Sequence, residues 1–347
     1  MLTEHVDFAG LRHHGDVEAQ PGLLDFAVNV QGTAPPRWLR DRLVAALDSL
    51  GRYPAAADER HAREVVAARH GLAADQVLPL AGGAEGFALL PRLSPRLAAV
   101  VHPSFTEPEL ALREAGVPVH RVLLEPPYAL DPTLVPEQAD LVVLGNPTNP
   151  TSVLHPADIV RALLRPGRVV LVDEAFMDAV PGETESLAGE AGEGLLVLRS
   201  LTKTWALAGL RCGYLLGAPE LLRQLVRGRA HWPVGTLQLA AIAATAAPRA
   251  LAESAARALE IGGDRAAMIE RLRGAGVAVQ TPADAPFLLL EVEHGEILRE
   301  YLRRHGIAVR RGDTFPGLGP EHVRVAVRPP ADVERLVAAL GNAGRLV

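Results

Sequence analysis

Cysteine is nearly absent from this chain: Cys212 stands alone among 347 residues, which excludes an internal disulfide and leaves a small buried residue as its simplest role. Aromatic residues make up 4%, and of the 35 lysines and arginines only Lys203 is a lysine. No apolar run reaches the length of a membrane span, LAAIAATAA at 239–247 being among the longest. The start, MLTEHVDFAGLRHHGDV, has no basic segment followed by an apolar stretch and a small-residue cleavage site, so it does not read as a signal peptide and a cytoplasmic location is expected. Charge of either sign is in modest excess only, 35 basic against 41 acidic residues for a net −6, and no basic stripe marks a nucleic-acid partner. Neither nucleic acid, membrane nor metal is expected, and small-molecule chemistry is the better starting point.

What is present suits a globular enzyme. The hydrophobic content of 48% over this length can bury a sizeable core in about two domain-sized units. Short apolar runs at 76–80, 97–101, 140–145, 168–173, 195–200 and 212–217 read as buried strands, with helical patterns such as GAEGFALLPRL, FTEPELALREAG and PADIVRALLR between them. The middle of the chain therefore reads as an α/β domain with a mostly parallel sheet, whose ligands gather at the strands' carboxyl ends. After about residue 248 an alanine- and arginine-rich helix is followed by short strands and two more helices, a smaller α+β unit. The stretch PGETESLAGEAGEG at 181–194 is expected as an exposed loop.

Chemistry concentrates in LRSLTKTWALAGLR at 198–211. A lysine in such a segment is ordinarily a solvated charge, but lysine is also the residue that forms a Schiff base with an aldehyde cofactor. Ser200, Thr202 and Arg211 are suitable phosphate ligands if the turn gathers them. Asp173 ends the apolar run RVVLVD, where a carboxylate can pair with a protonated pyridine nitrogen, and Asn149 in GNPTNPTS can donate to a phenolic oxygen. A helix cap and a turn residue are the plain alternatives for these two. Three such segments at strand ends favour pyridoxal phosphate.

The order NPTNPT, DEAF, SLTKTWALAGLRCGY resembles a fold-type I pyridoxal 5'-phosphate enzyme of the class I/II aminotransferase superfamily over nearly the whole chain. The resemblance implies a Schiff base at Lys203, pairing by Asp173, ring contact by Asn149, and phosphate binding by Ser200, Arg211 and the backbone of Gly83 and Ala84. It also implies that Phe105 stacks on the ring and that Tyr53 in GRYP crosses a homodimer to the partner's cofactor. Residues 1–34 would form an amino-terminal arm joining the small domain, 35–247 the large cofactor domain, and 248–347 the small domain.

Within the superfamily, two groups compete: histidinol-phosphate aminotransferases and the threonine-phosphate decarboxylases of cobalamin biosynthesis. Phe176 in DEAF lacks the hydroxyl of the aminotransferases' usual DEAY. The arm LRHHGDV with LLDFAVNVQG resembles the decarboxylases', which would place His13, His14 and Asn29 at the substrate phosphate. VRRGDTFPGLGPEHVRVAVRPP resembles their carboxyl-terminal pattern. There Arg324 and Arg328, four apart in a strand, would share a face and meet anionic groups of one substrate. Ser152, Pro108 and Gln31 depart from the pattern. The expectation is decarboxylation of O-phospho-L-threonine to (R)-1-aminopropan-2-yl phosphate, with a histidinol-phosphate-type aminotransferase as the alternative and a non-catalytic cofactor-binding regulator as a third reading.

Overall fold

The computed structural model describes residues 7 to 343, so the outer ends of the expected arm and small domain lie outside the described residues. After the arm strand β1 (Leu24–Asp25) come β2 (Val77–Leu80), β3 (Ala98–His102), β4 (Val119–Leu123), β5 (Leu141–Gly145), β6 (Val169–Asp173), β7 (Leu195–Ser200) and β8 (Gly213–Leu216). The last seven form one sheet in the order β2-β8-β7-β6-β5-β3-β4. Pairing is parallel from β4 to β7, while β8 runs antiparallel to both its neighbours.

Both faces of this sheet are buried, which is why its strands read as continuous apolar runs. Alternation divides them: Val142, Val170, Val172, Val197 and Tyr214 join one core cluster, and Leu141, Val143, Leu171, Leu196 and Leu198 the other. The edge strand β4 carries only one buried residue, Val122, and its weak pattern left it unread in the sequence.

The helix Pro248–Gly274 leads to the second unit. Its buried positions, Ala250, Ser254, Ala258, Ile261, Arg265, Met268 and Leu272, recur every three or four residues and form a single stripe. There follow β9 (Ala278–Val279), β10 (Phe287–Glu291), β11 (Ile307–Ala308), β12 (Arg310–Arg311) and β13 (His322–Ala326). An antiparallel sheet runs β12-β13-β10-β9, while β1 of the arm pairs in parallel with β11 and Phe26 enters the small unit's core. The stretch 181–194 departs from the expected exposed loop. Short 3₁₀ turns fold it inward, burying Leu187, Ala188 and Ala191. Among the described residues no helix is long and apolar enough to cross a membrane. Cys212 is a free, buried thiol whose pKa burial pushes up to about 12.

Candidate active site

A cavity of about 480 Å³ opens where the carboxyl ends of β6 and β7 meet the helix Gly83–Leu89, the arm and the small sheet. Alternation along the strands sends Asp173 and Ser200 to the same side as Leu171 and Leu198. The loop after β7 brings Thr202, Lys203 and Arg211 to that cavity as well.

Ser200 Oγ and Thr202 Oγ1 lie 2.7 Å apart. Arg211 lays its guanidinium against Gly82: a Cβ built there would sit 2.8 Å from Nη2, and the φ of +88° independently demands glycine. Arg211 donates to Ala208 O at 3.2 Å and has no carboxylate partner among the described residues. Gly83 and Ala84 begin their helix at the cavity wall, where first-turn amides have no intrahelical acceptor. Two hydroxyls, an unpaired guanidinium and free amides are a donor set for phosphate.

Lys203 and Asp173 complete the fit to pyridoxal phosphate. Burial pulls the Lys203 ammonium down to a pKa of about 8, helped by the cations Arg324 and Arg211 and opposed by Asp173 and Asp16. Burial pushes the Asp173 carboxyl up to about 7, the Ala175 N–H at 3.1 Å opposing it, Glu174 adding to the rise and Lys203 opposing. A carboxylate in that position is short of a counter-charge, which a protonated ring nitrogen supplies. Asn149 Oδ1 accepts from Arg324 Nη1 at 2.6 Å, leaving the amide hydrogens to donate. Phe105 lines the cavity with the His14 ring 5.3 Å away.

The residues expected at the substrate separate. His14 reaches the cavity and pairs through Nε2 with Glu107. Asn29 also reaches it, its buried Oδ1 without a partner among the described residues. His13 instead pairs with Glu18 at 3.2 Å, outside the lining, its pKa lowered by burial and then by Arg310. Arg324 lines the cavity, donates to Asn149 and to Ala27 O, and keeps its buried Nε unpartnered. Arg328 does not line it. β13 ends at Ala326, so the four-residue spacing no longer holds the two arginines on one strand face. Arg328 donates to the carbonyls of Asp25 (2.8 Å), Val28 (2.6 Å) and Val30 (3.1 Å), tying down the arm. Tyr53 lies exposed, stacked at 4.2 Å on Trp232.

Three charged lining residues escaped the sequence reading: Arg310, Asp16 and Glu107. Arg310 is 2% exposed, has no carboxylate partner among the described residues, and lies 4.7 Å over the Phe315 ring. Its pKa is pulled down to about 10, by burial above all. The signal was the pair Arg310-Arg311 after an apolar run, but only tertiary packing decides which arginine turns inward.

The family model for class I and II aminotransferases matches residues 22–340. A histidinol-phosphate aminotransferase of Mycobacterium tuberculosis is 56% identical over 334 residues, covering 96% of this chain and 91% of its own. A threonine-phosphate decarboxylase of Salmonella typhimurium is 32% identical over 333 residues, covering 92% and 91%. Among solved structures, the histidinol-phosphate aminotransferase from Clostridium acetobutylicum superposes with TM-score 0.86 at 25% identity, covering 94% of this chain and all of that one. That from Sinorhizobium meliloti in complex with pyridoxal-5'-phosphate gives 0.83 at 21%, covering 99% and 96%.

These findings overturn the expected decarboxylation of O-phospho-L-threonine, and with it the assignment as a carboxy-lyase, because the relative at 56% carries the aminotransferase's name and the decarboxylase stands at 32%. The structure supplies the physical reason. Arg328, one of the residues on which that reading rested, gives its donors to arm carbonyls. Phe176 packs edge-on against Phe287 at 4.8 Å, and its missing hydroxyl removes one hydrogen bond without selecting which substrate bond breaks.

Proposed function

The chain belongs to the class I and II aminotransferase family, and within it we propose that it transfers the amino group of a phosphorylated amine of the histidinol-phosphate type to a 2-oxo acid. Its cofactor is pyridoxal 5'-phosphate. Bound, this cofactor supplies an electrophilic carbon and a ring that takes up the electrons released at the substrate's α-carbon.

The chain's own groups do the rest. Ser200, Thr202, Arg211 and the amides of Gly83 and Ala84 would hold the cofactor's phosphate. Asp173 would keep the ring nitrogen protonated, Asn149 would donate to the phenolic oxygen and Phe105 would pack against the ring. Lys203 Nζ would take the proton from the donor's α-carbon and hold it as the ammonium. With a pKa of about 8, the amine is partly neutral near neutrality, as a general base must be.

The 56% identity to a histidinol-phosphate aminotransferase carries the choice of substrate, and two buried arginines suit it. Arg310 and Arg324 are two buried guanidiniums in one cavity with no carboxylate partner among the described residues. Buried charge is costly unless paired, so the site is built for a ligand with more than one anionic oxygen, the phosphate of the donor in one half-reaction and the carboxylates of the acceptor in the other. We propose further that the enzyme works as a homodimer in which the exposed Tyr53 completes the partner's phosphate site. The deciding experiment supplies histidinol phosphate with 2-oxoglutarate and, separately, O-phospho-L-threonine. Glutamate formation from the first supports the reading, and carbon dioxide from the second without amino transfer from the first overturns it.

A further inference from the structure

A buried ionic cluster lies behind the cavity, on the opposite face of the large sheet. Arg199 donates through Nη1 to Glu174 Oε2 at 2.8 Å, and through Nη2 to Asp178 Oδ1 at 2.6 Å and Glu183 Oε2 at 2.5 Å. Arg69, from the helix Ala56–His70, donates to Asp178 Oδ1 and Glu183 Oε1, each at 2.8 Å. Glu174 is closed off by Ser186 Oγ and by the Leu187 N–H, both at 2.7 Å. Arg199 and Glu174 are each 1% exposed.

The place of this cluster in the chain is its telling feature. Glu174 follows Asp173, and Arg199 precedes Ser200. Side chains alternate across a sheet, so Asp173 and Ser200 emerge into the cavity while their immediate neighbours enter the cluster behind it. β6 and β7 are paired in parallel with Asp173 opposite Leu198, and the Glu174 N–H donates to Leu198 O at 2.9 Å, so the Arg199–Glu174 pair clamps the two strands where they release their functional residues. Stability alone is a weak reason for such a cluster, because burying charges costs about as much as their attraction returns. A guanidinium fork that gathers three carboxylates of the connection after β6 does fix geometry.

We propose that Arg199, acting through Glu174, is a positioning residue that sets the distance between Asp173 and the 200–203 segment, and so the seat of the cofactor ring. The proposal rests on the family's cofactor and not on the identity of the amino donor.

Two variants of the holoenzyme test it. Arg199→Lys keeps the charge and loses the fork; Glu174→Gln keeps the shape and loses the charge. Each is expected to bind one cofactor per chain. Each should lose on the order of tenfold or more in kcat, with KM for the donor changed less than about threefold, since a displaced group near the reacting centre costs rate before binding. The visible circular dichroism of the bound cofactor, which reports the ring's seating whatever the donor, should fall in both. Should Arg199→Lys fail to fold, Glu174→Gln carries the same expectation by itself. The proposal is overturned if the folded variants lose melting temperature while kcat and visible circular dichroism stay within twofold of the parent protein. Failure of the donor assignment would leave the dichroism result unaffected, so the two readings fail separately.

Discussion

Replacing Arg310 by methionine removes a buried charge while keeping an unbranched apolar stem, and the structure sets what should follow. The guanidinium donates to Arg311 O at 3.0 Å, His13 O at 2.7 Å and Thr314 Oγ1 at 2.6 Å, all neutral acceptors. Burial above all pulls its pKa down to about 10, so the folded protein carries a cost of about 3 kcal/mol for holding the charge. For a base whose folded pKa lies below its unfolded value, that cost is fully present below about pH 10 and fades as the pH rises towards the ordinary arginine range. A melt at neutral pH therefore includes all of it. Three hydrogen bonds from the guanidinium act against that cost, so Arg310→Met should change stability little. Function should change much more. A charge-assisted contact to phosphate is worth about 1.5 to 3 kcal/mol, which converts to roughly tenfold to 150-fold in kcat/KM. The assay compares a phosphorylated donor with its dephosphorylated counterpart in both proteins. A phosphorylated-to-dephosphorylated ratio within twofold of the parent's would refute the assignment of Arg310 to an anionic group.

Because Lys203 is the chain's single lysine, borohydride reduction of the holoenzyme should place the cofactor's mass on that side chain alone. Lys203→Ala should lose the adduct and about a thousandfold or more in turnover, as expected for a missing general base. Capture of cofactor by the cofactor-free enzyme needs the neutral amine, so its rate, followed by visible absorbance, should rise with pH and reach half its maximum near 8. A midpoint near the ordinary lysine value of about 10.4 would show that the amine is not buried among cations. Arg328→Ala should cost about 2 to 3 kcal/mol in chemical denaturation through three lost carbonyl contacts, and leave the donor's KM within twofold. A large rise in KM at unchanged stability would restore Arg328 to the substrate. Mixing Lys203→Ala with Tyr53→Ala should regenerate about one quarter of full activity if Tyr53 serves the partner's site, since half the dimers are hybrids with one intact site each. No gain over the separate variants would remove the cross-subunit role.

Local chemistry made much of this protein legible without a structure. Buried parallel strands must be apolar throughout, so the runs ending at Asp173 and Ser200 declared themselves, and functional groups in such a sheet belong at the strands' carboxyl ends. Lysine, aspartate and asparagine at three such ends were enough to point to the cofactor. The sequence was less informative wherever identity depends on direction. It placed Arg324 and Arg328 on one strand face, but the strand stops between them and only Arg324 turns into the cavity. It passed over Arg310, because a two-residue strand has no period to reveal which of two arginines points inward. It took 181–194 for an exposed loop, because its glycines and carboxylates are polar in composition. Yet Glu183 is held against Arg199 and against Arg69, which lies 114 positions away in the chain. A residue's neighbours along the chain are fixed by covalent order, but the partner that satisfies a buried charge is set by packing across the chain. That is why the cofactor could be read in one dimension, whereas the grip on the substrate and the clamp behind the sheet appear only in three.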